Sequence, residues 1–475
     1  MTAWGEPAPP DPPPTAPIPP PQGPAPGRRR LALVLIVVVA LLAGSGTALV
    51  VAKTTGTHGR AAAPATTPAT AASATTATTA PPATAAGPLA AQVRQVEAAV
   101  ERLRQLRFTR SVPVTVESPQ KMAAQLLKEI NAGTDDAQLR RLDRALELLG
   151  ELPPHTDLPK LLRAVQTESV LGFYVPGKPP GKGRLYVRSN NGLDPYARFV
   201  LSHELTHAVT DQHYDLTHSD RLNAPGKEDQ SAAYTALLEG DATVMMGRYH
   251  DEVLTAAEQA DADRTGLTQA TPELDAAPAA LRESLLFPYE AGVAFVRALY
   301  AQGGWAAVDR AYRDPPTSTE EILHPEKYLG TRDQPKPVQV PDLSGSLGSG
   351  WRTGTVAGWG EFDVRLMLEG ALDVTTAERA AAGWGGGAVR SFQNGSRTAL
   401  ALRTVWDSPA EATEYCGLVT NWATSRFGAP VAGNRRWSGS GQQTALRCQG
   451  STATWLSAPD GSSLDRLVTG LGGSS

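Results

Sequence analysis

The chain has 475 residues and a formal net charge of −4, with 44 Lys and Arg against 48 Asp and Glu. That length holds two or more domains with a buried core. The near balance of charge and the lack of a basic patch argue against nucleic acid as a partner.

Residues 1–30 read as a disordered cytoplasmic tail, rich in proline through runs such as Pro12–Pro14 and Pro19–Pro21 and closed by Arg28–Arg30. Such a segment cannot pack a core. Residues 31–52, Leu31 to Ala52, are an apolar run long enough to cross a bilayer as a helix. The arginines before it place the N-terminus in the cytoplasm and everything after Lys53 outside. A cleaved signal peptide is the competing reading, but the run outlasts a signal core and no small-residue cleavage site closes it. The expectation is a single-pass protein of the cell membrane with an extracytoplasmic folded part. Residues 53–88 are Ala, Thr and Pro with little else, a spacer.

Order begins near Leu89. Val93, Val96, Val100, Leu103 and Leu106 make a helical stripe, and Val112–Val116 a short strand. Ser118–Pro119 opens a second helix through Ile130, and Asp135–Leu149 is a third. These helices are a covering subdomain or a latency segment. Val170–Val175 and Arg184–Arg188 read as two strands joined by a loop rich in Pro, Gly and Lys, hence a hairpin. The second strand directly precedes the next helix. It is a place for an extended peptide to add as a further strand, or an ordinary sheet edge.

The next stretch, Val200 to His213, contains His203-Glu204-Leu205-Thr206-His207. Asp194–Pro195 supplies an N-cap and a first-turn proline, and Tyr196, Phe199, Val200, His203 and His207 then fall on one helical stripe. Residues four apart share a helix face, so both imidazoles can point at one metal ion with the Glu204 carboxylate beside its open position. A catalytic zinc needs this arrangement: three protein ligands, a water, and a base for the water's proton. The chain has only 8 His, which makes the kernel improbable by chance. The plain alternative is an amphipathic helix with two surface or satisfied core histidines.

A further helix runs from about Asp229 to His250. Glu239 lies in its apolar turn Ala236–Thr243, where a carboxylate is costly unless paired or bound to metal. It is the candidate third ligand. The rival is His213, spaced like a third histidine that follows a helix-breaking glycine. Here that glycine position holds Thr210, which is β-branched and poor at such a turn, so Glu239 is preferred.

On His203-Glu-Leu-Thr-His-Ala-Val-Thr-Asp211 the chain resembles the active-site helix of the gluzincin metallopeptidases, thermolysin-type enzymes in particular. The resemblance covers roughly residues 170–250. It implies a zincin-like metallopeptidase domain over 89–345, a zinc ion held by His203, His207 and a glutamate on a following helix that Glu239 matches, and Glu204 as general base. It also implies a downstream donor to the oxyanion: His324 first, Tyr289 or Tyr328 next. The gap from His207 to Glu239 is longer than in thermolysin, and Leu238 and Thr243 depart from its pattern. The chain looks more like a separate bacterial branch of membrane-anchored peptidases.

Phe287 starts a helix to Gln302, ended by Gly303–Gly304. Residues 331–355 are rich in Pro, Gly and Ser and mark a boundary. Residues 356–475 form a small α+β module without a catalytic constellation: strand Ala399–Trp406, helix Pro409–Arg426, and strands Thr444–Cys448 and Thr452–Leu456. The two cysteines, Cys416 and Cys448, are outside any Cys-x-x-Cys pair and read as one disulfide between that helix and a strand. The alternative is two free buried thiols. The expected fold class is α+β, a zincin-like domain with a mostly helical N-terminal part plus the C-terminal module, after one transmembrane helix. The expected function is that of a membrane-anchored, extracytoplasmic zinc endopeptidase acting on peptides or proteins. The alternative is an inactive envelope binding or scaffold protein that keeps the fold, against which the intact Glu204 argues.

Overall fold

The computed structural model describes residues 88–472, apart from 134–135, 169, 178, 189–192, 223, 268–270 and 432–433. The expected tail, membrane span and most of the spacer lie outside the described residues. No helix among the described residues is long and apolar enough to cross a membrane. This overturns the single-pass membrane placement. The longest unbroken helix among the described residues, Glu228–Val253, carries Glu228, Asp229, Glu239, Asp241 and Arg248 along its length.

The fold is α+β. The first helix, Pro88–Arg104, buries Val93, Val96, Val100 and Leu103 as its stripe predicts. Strands β1 (Val114–Glu117), β2 (Gly172–Val175) and β3 (Arg184–Arg188) form a three-stranded sheet in the order β1-β3-β2. β2 and β3 are the expected antiparallel hairpin, and β1 joins β3 in parallel. The strand just before the histidine helix is therefore the sheet's centre. The edge beside that helix is β2: a Cβ on Gly172 would sit 3.2 Å from Glu204 Cγ.

Between β1 and β2 run helices Pro119–Gly133, Asp136–Leu149 and Leu158–Glu168. The last was not expected; its apolar positions are close-spaced and its first turn follows Pro153–Pro154. Leu149 and Ala145 of the middle helix pack into the core of the C-terminal module, and Arg426 donates to the Glu147 carbonyl at 2.8 Å. That helix ties the two halves of the molecule together.

Helix Pro195–Tyr214 packs against the glutamate helix Glu228–Val253, and the latter against Ala279–Arg313. The last crossing is a contact of backbones: a Cβ on Gly240 would lie 2.2 Å from the Gly292 carbonyl oxygen, and one on Gly292 2.2 Å from that of Ala236. Ala279–Arg313 starts before the expected Phe287 and absorbs Pro288. As expected, the helical backbone breaks at Gly303 and Gly304, the latter at φ 59°, a conformation that favours glycine, and a second helical stretch follows to Arg313.

Strands β4 (Arg352–Gly358), β5 (Trp384–Asn394), β6 (Arg397–Trp406), β7 (Arg436–Gly439), β8 (Gln442–Gln449) and β9 (Thr452–Ala458) build an antiparallel sheet in the order β4-β5-β6-β9-β8-β7. Helix Pro409–Phe427 covers one face with Tyr415, Val419, Trp422 and Ala423. Cys416 on that helix and Cys448 on β8 form the expected disulfide, Cα atoms 6.5 Å apart. The glycines at 385–387 lie at the start of β5, where close neighbours exclude side chains: a Cβ on Gly387 would meet the Trp359 carbonyl at 2.3 Å.

Candidate metal centre

Asp194 accepts from the Ala197 amide at 2.7 Å and Pro195 follows it, so the histidine helix starts where its sequence indicates. Its far end is fixed by buried Asp211, which accepts from the Tyr174 hydroxyl of β2 at 2.7 Å, the Gly181 amide at 3.0 Å and the Leu216 amide at 3.0 Å. Helix and hairpin are thus tied together beyond the His203–His207 turn, at Asp211.

Between these anchors His203 and His207 face the glutamate helix. His203 Nε2 lies 3.0 Å from His207 Nε2 and 3.2 Å from Glu239 Oε2, and His207 Nε2 lies 3.5 Å from the same oxygen. One donor atom from each of the three residues falls within 4.8 Å of the others. Two nitrogens at zinc–nitrogen distances of about 2.0–2.1 Å in tetrahedral geometry stand about 3.3 Å apart, close to this spacing. All three side chains are buried.

Burial pushes the His203 imidazole down to about 4, which keeps it neutral as a metal ligand must be. Burial would raise the Glu239 carboxyl, but His207 and His203 outweigh it and hold it below the usual range. His207 is opposed by burial and raised by Glu239. Glu204, next to His203, is also buried. Neither of its oxygens makes a full hydrogen bond, although the Tyr174 amide on the edge strand lies near enough to lower its pKa in part. Burial prevails and raises it to about 8.

Of the two candidates for third ligand, Glu239 and not His213 lies against the two histidines. Thr210 Oγ1 donates to the Thr206 and His207 carbonyls at 2.9 and 3.0 Å, and the helix continues through it. His213 stays on that helix, its Nε2 donating to the Arg107 carbonyl at 2.9 Å on the exposed side. His324, expected as oxyanion donor, is placed elsewhere. Its Nε2 is 2.9 Å from Glu361 Oε1, at the contact with the C-terminal module. A residue just before Pro325 caps a short helix there and faces the module, not the metal ligands. Tyr328 donates to the Asp314 carbonyl at 2.7 Å, and Tyr289 is buried among Val165, Leu274 and Leu285.

Sequence reasoning missed the support behind Glu239. Asp241, two residues on and fully buried, accepts from Arg104 Nε at 2.8 Å and from the Tyr312 hydroxyl at 2.8 Å. Arg104 also pairs with Asp309 at 2.8 Å and lies 4.4 Å over the Trp305 ring. The signal that singles out Glu239, an acid in an apolar helix, applies to Asp241 as well. Arg104 gives no such signal, because its burial arises only when three distant segments meet.

A family model described as a domain of unknown function, DUF8575, matches residues 352–468, the C-terminal module. The chain is 28% identical over 192 residues to Protein YhgF of Escherichia coli strain K12, covering 37% of this chain and 22% of that protein's length. A solved structure from Chloroflexus aurantiacus, described as "a putative hydrolase with a novel fold", is similar at 20% identity and a TM-score of 0.35, over 52% of this chain and 90% of that one.

Proposed function

We propose that the chain is a metal-dependent peptidase whose centre is His203, His207 and Glu239, with zinc as the ion. The observation that carries this reading is Glu204. A buried carboxylate without a full hydrogen-bond partner costs free energy that a purely structural helix has no reason to bear. Beside His203, His207 and Glu239, such a group would serve as the base.

A divalent ion bound there supplies Lewis acidity toward a substrate carbonyl. The chain's own residues do the rest. His203 and His207 offer neutral ring nitrogens, and Glu239 supplies the negative charge that offsets the ion's. Glu204 takes a proton from the attacking water and returns it to the leaving amine; a pKa raised by burial suits a group that must do both. The edge strand β2, one side of which pairs with no strand among the described residues, lies against the same helix and would offer backbone groups to an extended peptide.

A second reading, an inactive fold that retains the ion for binding or scaffolding, is favoured by the near-complete burial of all four side chains. One experiment separates the two. Metal content is measured on purified protein, and wild type and Glu204→Gln are compared on a broad peptide library. The peptidase reading expects about one zinc per chain in both proteins, cleavage by wild type, and a loss of roughly 10²–10⁴-fold in the variant. No bound metal, or equal cleavage by both, refutes it. Bound metal with no cleavage by either leaves the scaffold.

A further inference from the structure

The sheet of the C-terminal module is covered unevenly. One face, with Leu400, Leu402, Trp406 and Trp455, lies under helix Pro409–Phe427. The other is covered where Phe392, Ala399, Ala401, Ala445 and Leu456 meet helix Gly461–Gly470 and the segment Val340–Trp351. One row further along the same face, this apolar cover ends. There Arg403 of β6, Thr454 of β9 and Arg447 of β8 stand side by side in register.

This row floors a cavity of about 640 Å³, walled by Thr452, Gln449 and Leu471. Its volume lies within the range of roughly 300–1,000 Å³ usual for small-molecule sites. No Asp or Glu lines it. Arg447 gives one N–H to the Val468 carbonyl at 3.3 Å and keeps its other donors. Arg403 has no hydrogen bond or ion pair among the described residues, and both arginines are half-buried.

Their backbones are two strands, roughly 10 Å, apart, with Thr454 between them. Two like charges on a rigid floor, partly withdrawn from water and without a counter-charge, repel each other. An oxyanion between them removes the repulsion and satisfies the planar donor forks that guanidinium groups present. We propose that this cavity binds a small molecule through a carboxylate or phosphate group held between Arg403 and Arg447 over Thr454. The site is built wholly within the C-terminal module and does not depend on the metal centre.

The test is calorimetric titration of the full-length chain with inorganic phosphate and, separately, citrate. The expected result is saturable binding of at least one of them, weakened roughly tenfold or more in Arg403→Gln and in Arg447→Gln. Arg403→Lys keeps the charge without the fork and falls between. The arm that binds tells phosphate from carboxylate. A second measurement needs no variant: phenylglyoxal labelling of the unaltered protein, read by peptide mass spectrometry. Either anion that binds should slow labelling at Arg403 and Arg447 while leaving exposed Arg264 unchanged. Absence of saturable binding, equal binding by wild type and variants, or unprotected labelling at both arginines overturns the proposal.

Discussion

Glu204 shows how much a single residue can disclose. Its raised pKa, near 8 against an ordinary 4.5, comes first from burial. A folded-state pKa above the unfolded one means that folding is favoured with the proton on. That stability is complete below the unfolded value and is lost as pH rises through the folded one. In chelator-treated protein, Glu204→Gln should therefore gain on wild type by up to about 1.4 kcal/mol per pH unit between about pH 5 and 8. Urea melts across that range check it, and parallel curves for the two proteins would falsify the buried, unpaired carboxylate. The identity of this residue and its neighbours was plain in the sequence. Its isolation was not, because burial and lack of partners depend on what the rest of the chain brings to it.

At the scale of elements, the centre depends on two helix contacts. The histidine helix is placed by short-range chemistry, the Asp194 cap and the Asp211 bonds to the hairpin. The glutamate helix is placed by close approach to Ala279–Arg313 at Gly240 and Gly292 and by the Arg104–Asp241–Tyr312 network. Gly240→Ala would favour the isolated helix, since alanine is the better helix former by about 1 kcal/mol. The crossing reverses that sign. The new Cβ meets the Gly292 backbone, which cannot rotate away, and a net loss of about 1–3 kcal/mol is expected. Because residue 240 adjoins Glu239, metal retention should fall with it. Thermal unfolding and metal content of the variant check both; an unchanged melting temperature would sink the close crossing. The helix start at Pro195 was legible from its cap and the break at Gly303–Gly304 from its glycines, whereas the passage of the helix through Pro288 was not, since tertiary packing overrides local helix-breaking preference there.

Across the whole molecule, the C-terminal module is joined to the helical part by contacts that neither half makes alone. The Phe362 amide donates at 3.2 Å to the Thr319 hydroxyl, which itself donates to Asp229 at 2.6 Å. The Gly358 amide donates to Glu228 at 2.7 Å, and Phe362 stacks on Phe287 with ring centres 4.1 Å apart. The module's own integrity rests in part on Cys416–Cys448, whose sequence separation of 32 residues corresponds in the chain-entropy picture to about 3–4 kcal/mol. Replacing both cysteines by serine should lower stability by about that amount. Since Ala145 and Leu149 are part of the module's core, the loss should loosen helix Asp136–Leu149 with it. Hydrogen exchange of that helix reads this directly; protection unchanged from wild type would show that the helix does not depend on the module.

The sequence by itself determined the local elements of the candidate centre: two imidazoles on one helix face, a carboxylate beside them, the cap that starts the helix, and the cysteine pair. These follow from helical spacing and side-chain chemistry, which act over a few residues. Only the tertiary structure set Glu239 rather than His213 beside the two histidines, because that placement turns on which helix lies across from His203 and on an unbroken turn at Thr210. It also moved His324 to Glu361, made β2 rather than β3 the edge beside the histidines, and left Arg403 and Arg447 facing an open cavity. Each of these depends on contacts between residues far apart in the chain, and no local pattern encodes them.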